Sequence, residues 1–254
     1  MAWNDMPGHW YEDYERGRPG YPPDLVKVLD LSPSAIVLDL GAGTGKLTRL
    51  LVSTFVRVIA VEPDDMMRRQ LMALCPEADA LAGSAERIPL ADASVDAVFA
   101  AQCFHTFDND RALAEIARVL RPHGTLVLLW NVPAGPAAPS IAPVEQLLNP
   151  IWPTGWDPLD LGDPFRSASG KWRIAFTQSA FEELQEARLP NPQTVGREEL
   201  VAFFDSMGWI ATLPDADRLR LLDEIRARLT SDTYVLPWET QVQLTRLANT
   251  PGRP

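Results

Sequence analysis

Between residues 37 and 51 the chain reads VLDLGAGTGKLTRLL. Gly41, Ala42, Gly43, Thr44 and Gly45 alternate glycine with small residues, a loop that lets backbone come close to a nucleotide-like ligand. A triphosphate loop needs G-x-x-x-x-G-K-[ST], but Leu40 stands at its first glycine and Leu47 follows Gly45–Lys46. A dinucleotide fingerprint, G-x-G-x-x-G, takes Gly41 and Gly43 but puts Lys46 at its third glycine. Glu62 stands about 20 residues past Gly41, where a carboxylate can accept both hydroxyls of a ribose. The pattern therefore asks for a nucleoside with a free ribose diol and no required pyrophosphate.

A nucleoside bearing a non-phosphate group fits, and S-adenosylmethionine is the common one. The elements that must position these residues alternate in type. AIVLDL reads as a strand apolar on both faces, as buried parallel strands are, and VRVIAV, ADALAG, VDAVFAAQ and TLVLLWNV read as further strands. KLTRLLVST, PDDMMRRQLMAL and DNDRALAEIARVL read as the helices between them, and PDLVKVLDL as a short helix opened by proline. Such alternation predicts a doubly wound, Rossmann-like α/β sheet with helices on both faces. The rhythm breaks at 133–180, a proline- and tryptophan-rich insertion with one helix near 140–149. FEELQEARL then fits a strand or a helix, GREELVAFFDSMG and DADRLRLLDEIRARLT read as helices, and WETQVQLTRL as a solvent-edged final strand. The expected architecture is one domain over 1–254, with seven strands, the last antiparallel, and an N-terminal lid over 1–22.

The composition narrows the partners. The formal net charge is −11, and lysine occurs only at 27, 46 and 171, which argues against a nucleic-acid partner. The 46% of apolar residues contain no run of the ~18 that a membrane helix needs. The N-terminus lacks the apolar centre of a signal peptide, so a cytoplasmic protein is expected. Cys75 and Cys103 are too few and too far apart for a disulfide scaffold or a zinc knuckle. No metal is expected.

VLDLGAGTGKLT, VIAVEPDDMM, GSAERIPLADASVDAVFAAQCFHTFD and ALAEIARVLRPHGTLVLLW resemble successive motifs of the class I S-adenosylmethionine-dependent methyltransferases. The similarity is to their small-molecule group, with trans-aconitate-type and quinone-biosynthesis-type enzymes. It spans about 35–132, with fainter echoes in YERGRPGYP and LPWETQVQLTR. The resemblance implies that Asp39, Gly41, Gly43 and Gly45 line the methionine end of the cofactor, with Asp39 near its ammonium. It implies Glu62 on the ribose, Pro63 and Asp64 beside the adenine, Ser84 and Ala85 at the adenine edge, and Gln102 under the methionine moiety. Tyr14 and Arg18 match Y-x-R-x-R-P of relatives and would belong to the lid. S-adenosylhomocysteine would be the product.

Ligands of open parallel sheets bind beyond the carboxyl ends of the strands. His105 and Thr106 follow the fourth strand there, and Trp130 and Asn131 end the fifth. Methyl transfer from a sulfonium is an in-line displacement, and a base is needed only if the acceptor must lose a proton. His105 can accept a proton at neutral pH, or orient substrate, or fill the pocket wall. Many relatives carry Trp where this chain has Thr106, and His123 replaces a turn glycine. Trp152 and Trp156 would shape an apolar substrate cavity.

The expected activity is methyl transfer from S-adenosylmethionine to O, N or C of a small molecule, by a monomer or homodimer. The alternative is a protein of the same fold that binds the cofactor but catalyses another reaction or serves as a scaffold. A short-chain dehydrogenase-like oxidoreductase would want Tyr-x-x-x-Lys past the fourth strand, which is absent.

Overall fold

The segments at 36–40, 57–61, 79–81 and 95–101 form parallel strands in register. The computed structural model describes residues 6–135, 139–151 and 171–248. In chain order its elements are α1 (Gly8–Gly17), β1 (Ile36–Leu40), α2 (Thr48–Val52), β2 (Arg57–Val61), α3 (Asp65–Leu74), β3 (Asp79–Leu81), β4 (Val95–Ala101), α4 (Asn109–Val119), β5 (Leu120–Pro133), α5 (Ala142–Leu148), β6 (Gln185–Pro190) and β7 (Gln193–Gly196). The helices Arg197–Asp205, Gly208–Ala211 and Asp215–Arg228 follow, then β8 (Thr233–Leu236) and β9 (Trp238–Arg246). These elements group into two compact units, one from the described residues within 21–130, 166–189 and 240–254, the other from those within 1–20, 131–165 and 190–239.

The first unit carries the sheet. Its seven strands run in the order β3-β2-β1-β4-β5-β9-β6 and are mostly parallel with an antiparallel strand, a Rossmann-like α/β arrangement. The last four residues of β1 and of β2 are buried, because helices cover both faces and leave no side of the strand to water. Val37, Leu47, Leu51, Val58, Ala97, Phe99, Val127 and Leu129 share one core cluster. α4 packs through Ala112, Leu113, Ile116 and Val119, a stripe of helical period.

Local departures from expectation have physical causes. β5 starts at Leu120 rather than Thr125, because Leu120 pairs with Val95 across an irregularity before Ala97 resumes with Thr125. That irregularity holds the exposed His123 at φ 64°, a left-handed conformation where glycine is the easy occupant. The segment after Pro22 forms only a 3-10 helix, Pro23–Lys27, instead of a longer helix.

The second unit is helical with a small ladder. β7 and β8 pair antiparallel, a two-stranded feature not expected from sequence. Its core gathers Val144, Leu148, Leu200, Phe203, Phe204, Ile210, Leu222, Ile225 and Trp238. α1 packs on the Arg197–Asp205 helix through Gly17, where an added Cβ would lie 2.2 Å from the backbone nitrogen of Phe203. Among the described residues no helix is long and apolar enough to cross a membrane.

Candidate active site

Register brings the candidate residues to one edge of the sheet. Leu40 pairs with Val61, Val61 with Leu81, and Ala101 with Leu129. Gly41, Glu62, Ser84 and Gln102 follow the ends of β1, β2, β3 and β4, and Trp130 lies within β5, one residue past the Leu129 that pairs with Ala101. They share the carboxyl edge, where open parallel sheets bind ligands.

The glycine loop is built as its composition requires. Gly41, Gly43 and Gly45 have φ of 72°, 57° and 89°, a region closed to most side chains. At Gly41 a Cβ would stand 2.9 Å from the sulfur of Cys103, and at Gly45 2.6 Å from Leu71. The backbone N–H groups of Gly41 and Ala42 both donate to the Val61 carbonyl, at 2.8 and 3.1 Å, which fastens the loop to β2.

Two acids set the electrostatics. Glu62 is buried, and its Oε2 accepts from Gly43 N–H while Oε1 accepts from Asp64 N–H, both at 2.8 Å. Burial holds its carboxyl above the usual range, against the pull of those two bonds. Asp39 is fully buried; its Oδ2 accepts the Thr48 hydroxyl at 2.7 Å, and its Oδ1 has no hydrogen-bond partner. Burial pushes Asp39 up to about 7, the Thr48 bond opposes this, and the Glu62 charge adds to it. A buried carboxylate oxygen without a donor is costly unless a cation or donor completes it. Two neighbouring acids would also repel the phosphates that a glycine loop at a helix start otherwise attracts.

Asp64 caps α3, accepting at one oxygen from Met66 and Met67 N–H, both at 2.8 Å. Pro63 is exposed, Ala85 is buried, and the half-buried Ser84 hydroxyl is hydrogen-bonded to Glu86. Gln102 holds a left-handed φ of 60° while its N–H donates to Leu129 at 2.8 Å. Such strain in a non-glycine residue concentrates at functional edges.

His105 lies in a 3-10 turn, Phe104–Thr106, directly after β4. Its Nδ1 accepts the Trp130 indole N–H at 3.3 Å, which makes Nε2 the proton-bearing nitrogen of the neutral ring. Trp130 is buried against Trp172, ring centroids 5.0 Å apart, and Trp172 meets Phe104 edge-on at 5.9 Å. The exposed Thr106 gives its hydroxyl to the Cys103 carbonyl at 2.6 Å and so closes the turn.

Three candidates lie in the helical unit. Arg18 donates to the hydroxyl and carbonyl of Ser206 at 2.8 and 2.9 Å, and its guanidinium stands over the rings of Tyr14 (5.6 Å) and Phe203 (5.5 Å). The buried Asn131 donates to the Gly20 carbonyl at 3.0 Å and accepts from Asn191 at 3.1 Å. Trp152 and Trp156 lie outside the described residues. Thr48 and Trp130, as partners of Asp39 and His105, were not legible as such. Thr48 is an ordinary first-turn residue, and Trp130 is 25 positions from the histidine it orients.

The methyltransferase-domain family matches residues 38–128, which hold the glycine loop, both acids and His105. An uncharacterised methyltransferase of Mycobacterium bovis is 39% identical over 216 residues, 85% of this chain and 82% of that protein. The chain belongs to the class I S-adenosylmethionine-dependent methyltransferases. A methyltransferase-like protein of Schizosaccharomyces pombe is 36% identical over 221 residues, 84% of this chain and 82% of its own. Among solved structures, a candidate type II methyltransferase of Anaeromyxobacter dehalogenans superposes with a TM-score of 0.68 at 25% identity. That match covers 92% of this chain and 99% of the other. This methyltransferase therefore carries its family's fold over most of its length.

Proposed function

We propose that the protein transfers a methyl group from S-adenosylmethionine to a small-molecule acceptor. The observation that carries this reading is the fully buried Asp39 with one oxygen left without a donor, beside Glu62 and under a loop of three left-handed glycines. That arrangement fits a cationic nucleoside. Asp39 would hold the ammonium, Glu62 the ribose diol, and the glycine loop the methionine backbone. Asp64, Ser84, Ala85 and Gln102 would border the remainder. When bound, the cofactor supplies an electrophilic methyl group on a sulfonium.

The residues of this chain align and shield the reacting partners rather than form bonds to them. With Nδ1 engaged by Trp130, His105 acts through Nε2–H as a hydrogen-bond donor that orients the acceptor. Proton uptake by His105 requires Nδ1 to release the indole. The net charge of −11 and the buried aromatic cluster behind His105 favour a small, partly apolar acceptor over a nucleic acid. We take the whole chain as one methyltransferase module, a monomer or homodimer, and the segment with Tyr14 and Arg18 as its lid.

The test is incubation with methyl-labelled cofactor and pooled metabolites fractionated by polarity. Label entering a small organic product, with S-adenosylhomocysteine formed only when the pool is added, supports the reading. Label entering RNA or protein, or no turnover with any pool despite tight cofactor binding, refutes it.

A further inference from the structure

The helical unit contains a second cluster of acids, unrelated to the glycine loop. On α1, His9 and Asp13 stand four residues apart, one helical turn, and so share a face. Asp205, at the end of the Arg197–Asp205 helix, completes the group, with ligand-type atoms of all three within 4.8 Å of one another. Asp205 is 4% exposed. Its Oδ2 accepts from Arg218 at 2.5 Å, whereas its Oδ1 is buried with no hydrogen-bond partner. Nε2 of His9 is likewise buried without a partner. Asp13 accepts from Arg16 at 2.8 Å through one oxygen.

We propose that His9, Asp13 and Asp205 form a binding site for a divalent transition-metal ion of the zinc class. One imidazole nitrogen and two carboxylates are a borderline donor set, suited to Zn²⁺ and its neighbours more than to Mg²⁺ or Ca²⁺. Ligands at ~2.1 Å from a shared ion stand at most ~4.2 Å apart, so sub-ångström side-chain closure completes the site. Arg218 and Arg16 each occupy one carboxylate oxygen, orient the acids and offset part of their charge. The ion would tie α1 to the Arg197–Asp205 helix, a link separate from the methyl-transfer reading.

The experiment uses the full, tag-free chain after dialysis against a chelator. Calorimetric titration with Zn²⁺ is expected to show one saturable site per chain. His9→Ala and Asp13→Asn are expected to weaken it by at least the 10–100-fold that loss of even an outer partner costs. Circular dichroism checks that each variant is folded. In the wild-type chain, imidazole resonances of His9 move to saturation with Zn²⁺, while those of the exposed His123 stay in place. Absence of saturable uptake, with a shared proton filling the gap between the acids, overturns the proposal. Unchanged uptake in both folded variants, or saturation at His105 instead of His9, also overturns it.

Discussion

Thr48 donates its hydroxyl to Oδ2 of Asp39 at 2.7 Å, while Oδ1 of the same buried carboxylate meets no donor. The fold satisfies one oxygen of this acid and leaves the other without a donor. Asp39→Asn therefore has opposite effects on two readouts. It removes a charge-assisted partner of the cofactor's ammonium, and affinity falls on the order of 10–100-fold. It also removes an uncompensated buried charge, so the ligand-free protein melts higher at pH 8. Calorimetry and thermal melts check both; loss of stability and affinity together would mean that Asp39 is purely structural.

The same carboxyl gives a pH dependence of defined sign. Burial holds it at about 7 in the folded protein, above the 3.8 of a free aspartate side chain. Between those values the folded protein holds a proton that the unfolded chain has released. Stability of the ligand-free protein therefore falls as pH rises from about 4 to 7, and levels off above. A cationic cofactor favours the ionised form, so its affinity rises over the upper part of that window. Denaturant midpoints of wild type relative to Asp39→Asn, measured from pH 4 to 8, isolate this contribution. A pH-independent difference between the two proteins contradicts it.

The glycines of the loop are not equivalent. At Gly43 a Cβ meets only the sulfur of Met67 at 3.7 Å, so Gly43→Ala carries mainly the left-handed penalty of ~1–2 kcal/mol. At Gly45 the Cβ would also strike Leu71 at 2.6 Å, which adds roughly 1–3 kcal/mol of overpacking. Gly45→Ala is expected to lower the melting temperature more than Gly43→Ala. Equal melting temperatures would place the loop in another conformation.

Trp130→Phe keeps the aromatic stack but deletes the indole donor to His105. Loss of one neutral hydrogen bond of ~1 kcal/mol predicts about a fivefold drop in kcat/KM. It also predicts a shift in the pH profile, because the ring is no longer held with its proton on Nε2. Imidazole nitrogen shifts show the tautomer directly; an Nδ1-protonated ring in the wild-type protein would contradict the assignment.

The parallel strands and the glycine loop could be read from the sequence for a shared reason. Strands buried on both faces are continuous apolar runs, and the loop's left-handed turns demand glycine. Glu62 was legible because a strand end fixes its distance from Gly41. Other features depend on contacts remote in sequence. α1 has no side-chain cap at Pro7 and is held by Gly17 against Phe203 and by the Trp10 indole on the Ser206 carbonyl. β7 and β8 are four residues each, too short for a period of two to show. The open valence of Asp39 and the tautomer of His105 arise from packing, which no local pattern encodes.

The most direct test of the cofactor assignment is calorimetric titration of the purified protein with S-adenosylmethionine and S-adenosylhomocysteine, with NADH and ATP run in parallel. The account predicts one site per chain for both adenosyl compounds, weakened in Asp39→Asn and Glu62→Gln, and no heat with either phosphorylated nucleotide. Silence with both adenosyl compounds, while NADH or ATP binds, would contradict it.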